Sequence, residues 1–103
     1  MHAPTLLIVE DEERMRRLFE LVLKPVGYRL VLTRSGDEAI RMLQEHDSID
    51  MIITDLQLGA LSGMDVLEAA HQQLPDVPVL IVTGYGTVKS AVEAMHKGAY
   101  DYI

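Results

Sequence analysis

The stretch T5-LLIV-E-D-E-E13, residues 5 to 13, decides how this chain folds: a threonine and four apolar residues in a row, then four acids. A short unbroken apolar run is what a strand buried on both faces looks like, because neither alternate position has to meet water. The acids Glu10, Asp11, Glu12 and Glu13 end it at once. Beyond them Met15, Leu18, Phe19, Val22 and Val26 recur at helical spacing, with Arg14, Arg16, Arg17 and Glu20 between them, and Pro25 and Gly27 close the segment. The spacing therefore predicts a helix following a strand.

The same unit repeats downstream. Tyr28 to Thr33 reads as a second strand, and Ser35-Gly36-Asp37-Glu38 as a capping box in which Ser35 and Glu38 satisfy reciprocal backbone donors ahead of a helix through Ala39, Ile40 and Leu43. Met51 to Thr54 is the third apolar run and stops at Asp55. Gly59, Ser62 and Gly63 mark a loop before a helix around Val66, Leu67 and Ala70. Pro78 to Val82 reads as the fourth strand, Thr83-Gly84-Tyr85-Gly86 as the loop after it, and Val88, Ala91, Val92 and Met95 as the apolar stripe of a helix capped by Gly98. Tyr100 to Ile103 begins a fifth strand.

Strands alternating with helices imply an α/β fold, with a parallel sheet, right-handed crossovers and helices on both faces. Of the two common doubly wound arrangements, the five-stranded, flavodoxin-like order 2-1-3-4-5 suits 103 residues. The apolar share of 49% excludes a disordered chain, and a formal charge of −7 without a cluster of Lys and Arg argues against direct nucleic-acid binding. Without cysteine there is no disulfide framework, thiolate metal site or cysteine nucleophile. The lack of a signal-like N-terminus or a membrane-length apolar run gives the expectation of a cytoplasmic protein that does not enter a membrane.

In the order 2-1-3-4-5 the first and third strands are neighbours, and the crevice beyond their carboxyl ends is where such sheets bind ligands. Glu10 and Asp11 end the first strand and Asp55 the third. Carboxylates this close repel one another unless a cation lies among them, and an all-oxygen site suits Mg²⁺, to which a carbonyl from the loop after Asp55 could add a ligand. The fourth strand ends next door at Thr83, whose hydroxyl could bond a phosphate formed on Asp55, while Gly84 leaves open space and a backbone donor. Other residues carry plainer readings. Glu12 and Glu13 read as partners of a helix dipole, His2, His46, His71 and His96 as surface residues, and Met42, Met51 and Met95 as fillers of core gaps.

Four blocks, LLIVEDEE at 6 to 13, IITDLQLGALSGMD at 52 to 65, VLIVTGYG at 79 to 86 and AVEAMHKGAYDYI at 91 to 103, in this order and spacing, resemble the receiver domain of two-component response regulators along the whole chain. The last of the loop and helix sequence is most similar to receivers of the nitrogen-regulation type, which precede an ATPase and a DNA-binding domain. The resemblance implies that Asp55 is the phosphoacceptor, Asp11 a direct Mg²⁺ ligand, Glu10 a water-mediated one and the Gln57 backbone carbonyl another. It implies that Thr83 is the switch hydroxyl and Tyr102 the aromatic that turns inward on activation. The implied partner is a sensor histidine kinase, with a homodimer through the fourth helix and fifth strand as a further expectation, and the implied activity is a phosphorylation switch rather than a conventional enzyme.

The chain departs from the family pattern at Glu10, where aspartate is usual, and at Gly59, where proline is usual. The resemblance also implies a lysine two residues after Ile103 and a final helix, so residues 1–103 are expected to form a receiver domain incomplete at its C-terminus. A nucleotide-binding rival would want a glycine-rich loop after the first strand, where this chain has acids. A receiver-like interaction module that never takes phosphate is opposed by Asp11, Asp55 and Thr83 together.

Overall fold

Thr5–Val9 forms β1, an interior strand of the structure, a computed structural model that describes residues 3–45, 48–84 and 86–103. The elements follow in strict alternation: α1 (Glu13–Leu23), β2 (Arg29–Thr33), α2 (Gly36–Glu45), β3 (Met51–Thr54), α3 (Gly63–Gln73), β4 (Val79–Ile81), α4 (Val88–His96) and β5 (Asp101–Tyr102). All strands pair in parallel in the order β2-β1-β3-β4-β5, so the flavodoxin-like arrangement expected from the sequence is the one observed. His2, His46 and Tyr85, for which roles were read above, lie outside the described residues.

Register puts the acids where the topology requires. Val9 pairs with Thr54 and Thr54 with Ile81, so Glu10, Asp55 and Val82 leave the sheet side by side at its carboxyl edge. Backbone bonds carry the ladder one step further, from the Asp55 amide to the Val9 carbonyl and from the Val82 amide to the Thr54 carbonyl. Two buried threonines finish the edge: the Thr33 hydroxyl donates to the Ile8 carbonyl and the Thr54 hydroxyl to the Asp55 carbonyl, so neither carries an unmade bond into the core.

The two faces of the sheet are clothed differently. Leu7, Val9, Ile52, Val79 and Ile81 point toward α2, α3 and α4 and join Ala39, Leu43, Leu67, Ala70 and Ala94 in one large core. Leu6, Ile8 and Ile53 point the other way and meet Phe19 and Leu23 of α1. On that second side an apolar groove of about 220 Å³ stays open, lined by residues that include Phe19, Val22, Ile53, Leu80 and Val82.

Several local expectations are corrected. The stripe Val88, Val92 and Met95 does not face the sheet: all three are exposed, Val88 at 83%, and α4 presents Ala94 inward instead. Met95 is therefore not a core filler, whereas Met42 and Met51 are half-buried against the two cores. In α1, likewise, no residue is fully buried and Leu18 and Val22 are exposed, as is Val26 in the turn after it. The box at the start of α2 is shifted by one residue, since Ser35 accepts from the Glu38 amide but Glu38 reaches back to the Arg34 amide. Gly98 does follow the end of α4 in the left-handed region, with φ of 99°.

Candidate phosphoacceptor and metal site

At the carboxyl edge of β1 and β3, one carboxylate oxygen from each of Glu10, Asp11 and Asp55 falls within 4.8 Å of the others. They form a graded set: Glu10 is buried at 6% exposure, Asp55 half-buried and Asp11 exposed. A cleft of about 220 Å³ opens over them, lined by Glu10, Glu12, Met15, Asp55, Val82, Thr83 and Gly84. Of the residues singled out from sequence, Glu10, Asp55, Thr83 and Gly84 thus line one cleft, and Asp11 joins Glu10 and Asp55 in the acid cluster.

Glu10 feels this arrangement most. Burial pushes its carboxyl up to about 7 from an ordinary 4.5, the negative charges of Asp55 and Asp11 push in the same direction, and a hydrogen bond from the Glu12 amide, 3.1 Å away, only partly opposes them. A buried acid surrounded by acids is a site that favours a cation. Oxygen-only donors of this number and charge fit a hard divalent ion such as Mg²⁺ and offer nothing to a soft metal.

The chain around the acids is fixed by neighbours the sequence did not mark. The Arg16 guanidinium donates to the Glu10 carbonyl at 2.9 Å, clasping the end of β1 from the second turn of α1. Gly63 opens α3 against the backbone of Asp55, and a Cβ there would collide with the Asp55 carbonyl oxygen. Its amide donates to the Leu56 carbonyl at 2.8 Å. Only the close approach of two main chains reveals this need, and close approach has no local signature. Ser62 caps α3 with a complete box shared with Asp65, which holds the far end of the same loop.

Gln57 is exposed, and its amide donates to Asp55 Oδ1 at 3.2 Å, folding the loop back over the acceptor carboxylate. Gly59 follows with φ of 81°, which proline, locked near −65°, cannot adopt, so this loop takes a path closed to the residue usual in the family. Glu12 is both the first residue before α1, without a side-chain cap bond, and part of the cleft wall, so its reading as a helix-dipole partner was incomplete. Tyr102 is not in the cleft: its phenol bonds Ser90 on α4.

With this geometry in view, comparison with known proteins decides the family. The model of the response regulator receiver domain matches residues 6–103. This chain belongs to that family. The luminescence regulatory protein LuxO of Vibrio campbellii is 38% identical over 96 residues, 93% of this chain and 21% of LuxO. A putative NtrX-like response regulator of Rickettsia bellii is 36% identical over 99 residues, 94% of this chain and 20% of the relative. The receiver chain therefore spans about a fifth of the length of these curated relatives, whose kind agrees with the nitrogen-regulation lean of the sequence. A solved response regulator of Burkholderia pseudomallei, described as holding a phosphorylated aspartic acid and a calcium ion, superposes with a TM-score of 0.89 at 28% identity, over 96% of this chain and 58% of that one.

Proposed function

We propose that this receiver domain accepts a phosphoryl group on Asp55 from a phosphohistidine of a sensor histidine kinase and passes the change to an output, in this lineage the control of transcription. The observation that carries the reading is the cluster of Glu10, Asp11 and Asp55 beside a cleft that Thr83 and Gly84 also line. An Asp55 carboxylate oxygen attacks phosphorus, the bond from phosphorus to the histidine nitrogen breaks, and the imidazole leaves with the electron pair. Glu10, Asp11, Asp55 and the Gln57 carbonyl would hold Mg²⁺, which when bound offsets negative charge on the phosphoryl oxygens.

This chain's own groups do the rest. The Gln57 amide, already on Asp55 Oδ1, orients the nucleophile. Thr83 supplies a hydroxyl and Gly84 leaves the approach to phosphorus free of a side chain. Thr83 then moves toward the phosphate and Tyr102 into the space it leaves, which alters the surface of α4 and β5. That surface exposes Val88, Val92, Met95, Tyr100 and Ile103, an apolar strip suited to a second receiver in a homodimer. Attack of water on the phosphoryl group of Asp55, breaking its P–O bond to the carboxylate and releasing inorganic phosphate, makes the domain a self-limiting switch in the cytoplasm; among the described residues no helix is long and apolar enough to cross a membrane.

The test is intact mass after treatment with a small phosphodonor and Mg²⁺. Addition of one phosphoryl group is expected, lost in Asp55→Asn and suppressed by chelation. A mass that does not change in the full-length protein would leave an interaction module that never takes phosphate.

A further inference from the structure

The phenol of Tyr102 is held by a hydroxyl that already has other work. Ser90 Oγ lies 2.6 Å from the Tyr102 oxygen. The same Ser90 oxygen accepts from the Thr87 amide at 2.9 Å and donates to the Thr87 carbonyl at 3.0 Å, while the Ser90 amide donates to Thr87 Oγ1 at 3.0 Å. A serine hydroxyl has one proton and two lone pairs. Thr87 Oγ1 also lies 3.3 Å from this oxygen, so Ser90 Oγ gathers the Thr87 amide, carbonyl and hydroxyl together with the Tyr102 phenol. One oxygen thereby closes the first turn of α4 and fastens β5 to it.

The fit on the other side of the ring is equally constrained. Tyr102 lies on the main chain of Gly86, where a Cβ would stand 2.9 Å from Cε1 and 3.0 Å from Cζ and collide with the phenol oxygen. The ring is thus confined between the loop leaving β4 and the first turn of α4. It cannot leave this position without giving up its bond to Ser90 Oγ, the same oxygen that takes part in the α4 cap.

We infer that Ser90 is a positioning residue that couples Tyr102 to the N-terminal turn of α4, so that movement of the ring and loosening of that turn are one event. The inference rests on the proposal that Tyr102 responds to phosphorylation at Asp55, and it names the contact through which the response reaches α4. It makes Ser90, outside the acid cleft, a determinant of how strongly the switch is read out on the exposed α4 surface.

Hydrogen exchange at the Ser90 and Ala91 amides of the unphosphorylated chain tests the latch directly, since both bond to Thr87 within that turn. Tyr102→Phe, which leaves α4 untouched in sequence, is expected to speed exchange roughly two- to tenfold, the range for one hydrogen bond. Ser90→Ala should speed it at least as much, the double variant no more than Ser90→Ala alone, and Ser90→Thr should restore slow exchange by keeping the hydroxyl. Unchanged exchange in Tyr102→Phe overturns the inference. With beryllofluoride and Mg²⁺ as the phosphoryl mimic, Tyr102 ring resonances and the α4 amides are expected to shift together in the wild type. In Ser90→Ala the ring shift should persist while the α4 response falls; a full α4 response there also overturns it. Failure of Asp55 to take phosphate, with the Tyr102→Phe effect intact, would refute the proposed function and leave the latch standing.

Discussion

The two faces of one sheet receive similar side chains and end up in different states. Toward α2, α3 and α4, Leu7, Ile52, Ile81, Val66 and Leu67 are all fully enclosed. Toward α1, Leu6, Ile8 and Ile53 are buried but Leu18, Leu21 and Val22 on the covering helix remain exposed, and the groove beside them stays open. Strand alternation supplies both faces equally; three helices on one side against one on the other make the difference. The acid cleft belongs to the thinly covered side, since Glu10 follows Leu6 and Ile8, and Asp55 follows Ile53, in the alternation of their strands. Met15 and Val82 line both the groove and the cleft, so the two adjoin.

Truncating the enclosed face should do the most damage. Leu67→Ala, with no exposed surface to relax into, is expected to lower unfolding free energy by about 3 kcal/mol in denaturant titration. If it costs no more than a truncation on α1, the two faces are not energetically distinct.

Glu10 gives the next largest effect, and its sign is opposite to that of a salt-bridged acid. Its folded value near 7 lies above its ordinary 4.5, so the folded chain holds a proton that the unfolded chain releases first. Stability from this group is complete below pH 4.5 and is lost as pH rises through 7. Metal-free thermal melts should show this fall, Glu10→Gln should remove most of it, and Mg²⁺ should offset it above pH 7. A melt profile flat from pH 4.5 to 7.5 would show that the acids are not in conflict.

The smallest effect sharpens the comparison from the open side. Leu21→Lys, at a position 68% exposed on α1, is expected to change unfolding free energy by less than about 0.5 kcal/mol. A loss of several times that size would mean that Leu21 is covered in solution by something this chain does not itself provide.

Much of this was legible in the sequence because it is local. Thr5–Val9 and Met51–Thr54 announce themselves as apolar runs that stop at acids, and once their neighbouring order is chosen, Glu10, Asp11 and Asp55 must converge. What escaped was relational. Helical periodicity finds the apolar stripe of α4 but not which way it turns, and packing turned Ala94 inward and Val88 and Met95 outward. Gly63 and Gly86 matter because of what approaches them from elsewhere in the fold, and Arg16 and Ser90 because of a carbonyl six residues back and a phenol twelve residues ahead.

The pairing of β1 with β3 has a kinetic consequence. Thr5 meets Asp50 at a sequence separation of 45, and a parallel pair separated this far must close a long loop before its contacts give any return. Glu10 and Asp55 become neighbours only after that closure, so a cation that needs both finds no site on the collapsing chain. Bound there, such an ion would act as a brake on unfolding and leave the rate of folding largely as it was.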